Sequence, residues 1–206
     1  MTPRPTISRT RREEILDEAT ELFAERGYEG TSMSDLAERV GLRKASLFHH
    51  FTSKEVLYAA VLGRLVESVG QSIARSALAP GTFEERVGTL SDAITDLLGE
   101  QPFAARPLIR EVMDWGPVAR SELADQILAV MNAAVMFIQA GQDAGAFVAA
   151  DPKQLVITLI GVHFMPFAVG RVVKSLVGAD PADPAFNAPR RAAVREHVRR
   201  MMLVKP

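Results

Sequence analysis

The amino-acid sequence predicts an all-α protein of about nine helices, and three observations carry that prediction. Apolar residues recur at i, i+3, i+4 and i+7, and no stretch of strand length alternates cleanly between apolar and polar. Three pairs, Thr10 with Glu13, Ser32 with Asp35 and Thr82 with Glu85, stand directly before such runs, the spacing of a reciprocal helix N-cap. Stops such as Gly27, Gly41 and Gln101-Pro102 separate one run from the next. The chain has 206 residues, 48% hydrophobic and 24% charged, which is enough apolar material for a sizeable core and excludes wholesale disorder.

The elements follow in order. Helix one is expected from about Arg11 to Arg26, with Ile15, Leu16, Ala19, Leu22 and Phe23 on its apolar face and Gly27 as its left-handed stop. A short helix from Met33 to Val40 ends at Gly41, and a third covers roughly Lys44 to Phe51. Ser53 caps a long helix from Lys54 to about Ala77, whose stripe is Leu57, Val61, Leu65, Val69 and Ile73. After Ala79-Pro80-Gly81, Val87, Leu90, Ile94 and Leu97 mark a fifth helix. Further breaks are expected at Gly116-Pro117, near Ala150-Asp151-Pro152, and at the proline-rich loop from Asp180 to Pro184, and a last helix runs from about Pro189 to Leu203. This divides the chain into residues 1–53 with a basic arm at about 1–9, a connecting helix at 54–77, and a bundle at 78–206.

Charge and composition exclude several classes. The formal net charge is -1, from 24 basic and 25 acidic residues, so a uniformly basic coat is absent. There is no cysteine, which removes disulfides, thiolate metal sites and cysteine nucleophiles. The opening stretch carries no apolar signal region, so a cytoplasmic protein is expected. Two uncharged windows, Gln126 to Gln142 and Gln154 to Gly170, fall short of the ~20 residues of a spanning helix and read better as buried helices. No histidine pair has ligand spacing, and neither a nucleophile elbow nor a glycine-rich phosphate loop occurs. The expectation is no metal, no cofactor and no enzyme activity.

Residues 31–57 are the informative segment. A capped two-turn helix, a glycine able to take positive φ and a second short helix form a helix-turn-helix, closed by Leu36, Val40, Leu42 and Leu47 around the small Ala37. In such a motif the second helix enters the DNA major groove. The run ILDEATELFAERGYEGTSMSDLAERVGL, then KASLFHHF, then TSKEVL, resembles the N-terminal domain of the TetR family of bacterial transcription regulators over Ile15 to about Leu62. That resemblance implies an all-helical homodimer with a three-helix DNA-binding head, a long fourth helix, and a C-terminal ligand-binding and dimerisation bundle.

The basic residues cluster. Residues 1–12 hold Arg4, Arg9, Arg11 and Arg12 without an acid, and residues 39–54 hold Arg39, Arg43, Lys44 and Lys54 without an acid. Phosphate neutralisation is expected at both clusters. Glu13 to Glu38 is strongly acidic and reads as a solvated face. On the recognition helix, Lys44, Ala45, Ser46, Phe48, His49 and His50 are the expected contacts to bases and phosphates, with Arg9, Ser32 and Lys54 as phosphate contacts. Arg43 stands where the family commonly has a capping serine or threonine, so helix three is expected to lack a side-chain cap and Arg43 is free to reach DNA. Phe48 and His50 stand where tyrosines are usual.

The resemblance places an effector pocket and a dimer interface in the bundle. Leu65, Phe103, Met113, Trp115, Met131, Phe137, His163 and Phe167 are the pocket candidates. Trp115 reads equally as a core or interface aromatic, and His163 as a hydrogen-bonded core histidine. Helices eight and nine of the family form the dimer interface, which points to Val156, Leu159 and Ile160, with Val194, Val198 and Met201 on the last helix. The five arginines at Arg190, Arg191, Arg195, Arg199 and Arg200 read as a solvated basic face. The resulting expectation is a dimeric repressor on a palindromic double-stranded operator, released by a small, largely apolar effector and needing no membrane. The alternative is a ligand-independent DNA-binding regulator or architectural protein with a filled C-terminal core.

Overall fold

The structure is a computed structural model that describes residues 10–114, 116–118 and 122–204. Arg4, Arg9 and Trp115 lie outside the described residues. Ten helices are present among them: α1 (Arg11–Arg26), α2 (Met33–Arg39), α3 (Lys44–His50), α4 (Lys54–Leu78), α5 (Phe83–Glu100), α6 (Ala105–Asp114), α7 (Glu122–Asp143), α8 (Pro152–Ala168), α9 (Gly170–Val177) and α10 (Pro184–Met202). The described residues contain only one isolated bridge, Phe147 with Leu203, and no strand ladder. The chain forms two compact units, one ending at Val61 and one beginning at Leu62, so α4 contributes to both.

In the first unit local chemistry sets each boundary. Thr10 and Glu13 cap α1 reciprocally, and Ser32 and Asp35 do the same for α2. Gly27 ends α1 at φ 75° and ψ 178°, a region open essentially to glycine alone. Gly41 turns the chain between α2 and α3 at φ 63°. Ile15, Phe23, Leu36, Leu47, Phe51 and Leu57 are buried between the helices. Phe23, Tyr28 and Tyr58 form an aromatic cluster, with the Phe23 and Tyr58 rings 4.7 Å apart at 62°.

In the second unit Thr82 and Glu85 cap α5. Arg86 caps the C-terminal end of α4 by donating to the carbonyl oxygens of Ser76 (2.9 Å) and Ala77. The α5 and α10 pair is the most extensive helix packing. It is pinned by Asp92, which accepts from Arg191 at 3.1 Å and Arg195 at 3.3 Å, and by Asp96, 3.0 Å from Arg191. Arg199 and Arg200 pair with Glu196 on their own helix. Arg191, Arg195, Arg199 and Arg200 are exposed, as expected of a solvated basic face, while pairing with carboxylates of the chain, and Arg190 is half-buried. By length and composition α7 could cross a bilayer; Met131, Ala134, Phe137 and Ile138 face the bundle, but only 17% of its apolar window is buried, so it is not the buried helix its lack of charge suggests.

The tenth helix comes from a break at Val169, just beyond the Pro166 at which the sequence predicts a kink. Pro166 has no N–H, so the carbonyl of Val162 loses its helical donor four residues on. Arg190 of α10 supplies a substitute donor to that carbonyl, and Arg106 donates to Ala168 O at 3.3 Å where α8 ends. The chain then turns by 83° into α9. The last helix also starts earlier than expected, at Pro184 behind an Asp183 cap, because a proline at the first helical position fits there; Pro189 is inside the helix.

The two glycine stops differ in a measurable way. A Cβ at Gly41 would meet nothing within 4 Å, so Gly41→Ala is expected to cost about 1 kcal/mol from its positive φ alone. Gly27→Ala is expected to cost more, because its φ and ψ are closed to alanine. Urea denaturation of both variants checks the order, and equal losses would contradict it.

Candidate functional site

Two regions carry chemistry, one in each unit. In the first, α3 presents a row of solvent-facing side chains. Arg43, Lys44, Ala45, Phe48, His49 and His50 are exposed and Ser46 is half-buried. Leu47 and Phe51, on the opposite side, are fully buried and hold the helix down. Arg43 occupies the N-cap without a side-chain hydrogen bond, so its guanidinium does not cap its own helix.

Several basic residues are committed elsewhere. Arg39 sits among three carboxylates on one side of α1, Glu18 at 2.8 Å, Glu21 at 2.7 Å and Glu25 at 3.4 Å. The Glu18 hydrogen bond foremost, with the charges of Glu25, Glu18 and Glu21, raises its pKa above the ordinary value. Arg39 thus ties α2 to α1, and the acidic face of α1 is its counter-charge. Arg12 stacks over Phe51 at 4.9 Å, and Arg11 donates to Val40 O. Lys54 donates to Tyr28 O at 3.0 Å and lies over the Tyr28 ring. Ser32 is held by Asp35, its hydroxyl 2.6 Å from the carboxylate. That hydrogen bond, with one from the Ser32 backbone, lowers the Asp35 pKa. Arg43 and Lys44 are the exposed cations next to the row on α3.

The second region is a cavity of about 280 Å³ inside the bundle. Its walls come from α4 (Val66, Val69, Ile73), α5 (Leu90, Ser91, Ile94) and α6 (Leu108, Ile109, Val112). They are completed by α7 (Ile127, Val130, Met131, Ala134) and α8 (Val156, Leu159, Ile160, His163, Phe164), with Val87 and Val198 behind. Only Ser91 and His163 carry polar side-chain groups of hydroxyl or imidazole type.

Of the expected pocket residues, Met131 and His163 line this cavity. Leu65 is buried but off the wall, and Phe103 and Met113 face solvent, Met113 at 74% exposure. Phe137 packs edge-on against Phe147 and beside Phe83, and Phe167 packs edge-on against Phe186, so both are structural aromatics. The expected dimer residues lie as follows. Val156, Leu159, Ile160 and Val198 line the cavity, and Val194 is fully buried in the same core cluster, beside which Met201 packs. Val156, Val194 and Val198 are buried within their own chain, whereas Leu159, Ile160 and Met201 are half-buried. The missed wall residues are mostly aliphatic, with Ser91 and Phe164 besides.

The polar corner of the cavity is well defined. The Thr95 hydroxyl donates to Ser91 O at 2.9 Å, so its oxygen accepts from Nδ1 of His163 at 3.4 Å. In the neutral tautomer that this arrangement favours, Nε2 is an acceptor. Burial, then the nearby Arg190 charge, pushes the His163 pKa down to about 4.

The first unit is a helix-turn-helix head and the second a helical bundle around an apolar cavity. Residues 15–61 match the family model for bacterial regulatory proteins of the tetR family. The biofilm operon negative regulator IcaR of Staphylococcus aureus is 47% identical over 47 residues, 23% of this chain and 25% of that protein, so the match spans about a quarter of IcaR. The transcriptional regulator RutR of Escherichia coli K12 is 28% identical over 182 residues, covering 84% of this chain and 81% of RutR. Among solved structures, AibR in complex with isovaleryl coenzyme A and operator DNA superposes with a TM-score of 0.69 at 18% identity, over 91% of this chain and 97% of AibR. Residues 15–61 thus match the TetR-family DNA-binding head, and the whole chain is similar in fold to solved TetR-family regulators.

The buried imidazole makes stability depend on pH. As pH falls below the ordinary His value of 6.5, the unfolded chain takes up a proton at His163 that the folded chain refuses until about 4. Stability is therefore complete above about 6.5 and declines towards 4, by an amount on the order of 3 kcal/mol. Urea midpoints at pH 7 and pH 4.5 are expected to separate less in His163→Phe than in the parent; an equal separation would contradict this assignment.

Proposed function

We propose that the chain is a homodimeric, sequence-specific DNA-binding transcriptional regulator, a cytoplasmic repressor released from its operator by a small, largely apolar effector. The observation that carries this reading is the pairing of two features in one family fold. An uncapped recognition helix exposes Lys44, Ala45, Phe48, His49 and His50, and a cavity of about 280 Å³ is bounded by the same α4 that begins at Lys54. The cavity also weighs against the alternative of a filled C-terminal core.

In this reading residues 1–53 form the DNA-binding head, 54–77 the connecting helix and 78–206 the effector and dimer bundle. Lys44 and Arg43, with Arg9 of the arm, neutralise phosphates, and Ala45, Ser46 and His49 contact base edges. Two heads address successive major grooves about 34–36 Å apart on a palindromic operator. Effector entry moves Val66, Val69 and Ile73, and a helix with no break between those residues and Lys54 carries the displacement to the head. Couplings of this kind are typically ~1–3 kcal/mol.

The dimer surface in this reading is the outward side of α8. Ile157, Gly161 and Met165 are spaced by four residues, Ile157 and Met165 are about half exposed, and a Cβ at Gly161 would meet nothing within 4 Å. A second copy covers this strip.

Two measurements test the reading. Operator DNA selected from a random pool is titrated at several salt concentrations. Lys44→Ala is expected to weaken binding severalfold and to lower the slope of log K against log salt by about 0.9 for each phosphate no longer neutralised. Arg39→Ala, whose charge is spent on α1, is expected to leave that slope unchanged; the reverse pattern would refute the placement. In sedimentation, Ile157→Asp is expected to give a folded monomer, whereas a dimer that survives the substitution would rule out this face.

A further inference from the structure

Within the row on α3, two side chains cannot hydrogen-bond. Lys44, Ser46, His49 and His50 each carry a donor or acceptor suited to a phosphate or to the polar edge of a base. Ala45 and Phe48 carry none. Both are exposed, and residues three apart on a helix are neighbours on one face, with about 5–6 Å between their Cβ atoms. Lys44 stands four residues before Phe48 and borders the same pair, so the apolar patch lies beside a cation suited to phosphate.

The packing of the head does not require Phe48 to be where it is. Leu47 and Phe51, 0% and 1% exposed, already hold α3 to its neighbours, whereas Phe48 is 38% exposed. Among the described residues of the head, Phe48 and Val56 are the only large apolar side chains left exposed. The Phe48 ring gains by leaving water, and the surface that covers it must offer an apolar group. The tyrosine usual at this position in the resembled family ends in a hydroxyl that can donate to phosphate; Phe48 has no such donor, so a phosphate hydrogen bond does not account for it. In the major groove the base edges present hydrogen-bond donors and acceptors, and the one apolar group among them is the C5 methyl of thymine.

We propose that Phe48 and Ala45 together read thymine methyl groups, and that each operator half-site carries a thymine where these two side chains meet the groove. The inference rests on the DNA-binding reading above and goes beyond it by making Phe48 a specificity-determining residue and by naming the base it selects. Lys44 holds the backbone beside the pair, and the methyl contact supplies the discrimination.

The test uses the full chain and the palindromic operator selected from a random pool. Each thymine is replaced in turn, in both half-sites at once, by deoxyuridine, which keeps every hydrogen-bonding atom of thymine and lacks only the methyl. Burying one methyl group is worth about fourfold in affinity, so replacement at the read position in both half-sites is expected to weaken binding about fifteenfold. With Phe48→Ala the penalty on the same DNAs is expected to fall below about threefold, which separates the contact from any change in the duplex itself. Phe48→Leu, still apolar, is expected to keep a penalty of at least about fivefold. A residue with a merely structural role would instead weaken binding to thymine and deoxyuridine DNA alike and leave their ratio unchanged. Selected half-sites without thymine, deoxyuridine tolerated at every position, an undiminished penalty in Phe48→Ala, or a penalty lost in Phe48→Leu as fully as in Phe48→Ala each overturns the proposal. Failure of selection to enrich any sequence sinks the DNA-binding reading along with it, whereas tight operator binding indifferent to every thymine methyl sinks this proposal alone.

Discussion

The bundle depends on one missing hydrogen. Proline at 166 removes the donor that the Val162 carbonyl would have used, and an unpaired buried carbonyl is expensive. Arg190 satisfies it from a different helix. That single replacement links α8 to α10, brings a cation beside His163, and accompanies the break that sends the chain 83° away into α9. The α8 wall of the cavity and the α5–α10 pairing then share one anchor, because Arg191 and Arg195 follow Arg190 on α10 and close on Asp92. A backbone irregularity usually treated as a defect here organises three helices.

The near-neutral total charge of -1 conceals a consistent division of labour. Arginines that look available in the sequence are mostly bonded inside the chain: Arg39 to the carboxylates of α1, Arg191 and Arg195 to Asp92, Arg199 and Arg200 to Glu196. Internal pairing of this kind sets helix registry more than it adds stability, since exposed pairs are worth at most about 1 kcal/mol each. It also concentrates the unspent charge. Within the described head, Arg43 and Lys44 are exposed at the start of α3, beside the exposed Ala45, Phe48, His49 and His50.

The sequence revealed the local features and hid the collective ones. All three capping boxes form, the glycine stops fall where expected, and the bounds of α1 coincide with the sequence reading. Such features depend on residues within four positions of one another. Orientation in the bundle does not. α8 is apolar on nearly every face, so periodicity could not say that Val156 points inward and Ile157 outward. Aromatics and methionines suggest a pocket in the sequence, but Phe137 and Phe167 are spent on ring packing, and the wall is mostly valine, leucine and isoleucine drawn from six helices. The fold and the head were thus readable from spacing, whereas the cavity emerges only when distant stripes meet.

The empty space has a consequence for how this protein can change. Atoms on the cavity wall lack neighbours on one side, and the cohesion they would have contributed is withheld. Many small-to-large substitutions along α4, α5 or α7 would recover that cohesion and make a firmer protein. The same changes would remove the room in which a small molecule can act. If the cavity receives an effector, as proposed, robustness and responsiveness draw on the same wall methyl groups, and selection for response would hold the protein below the firmness its sequence could reach.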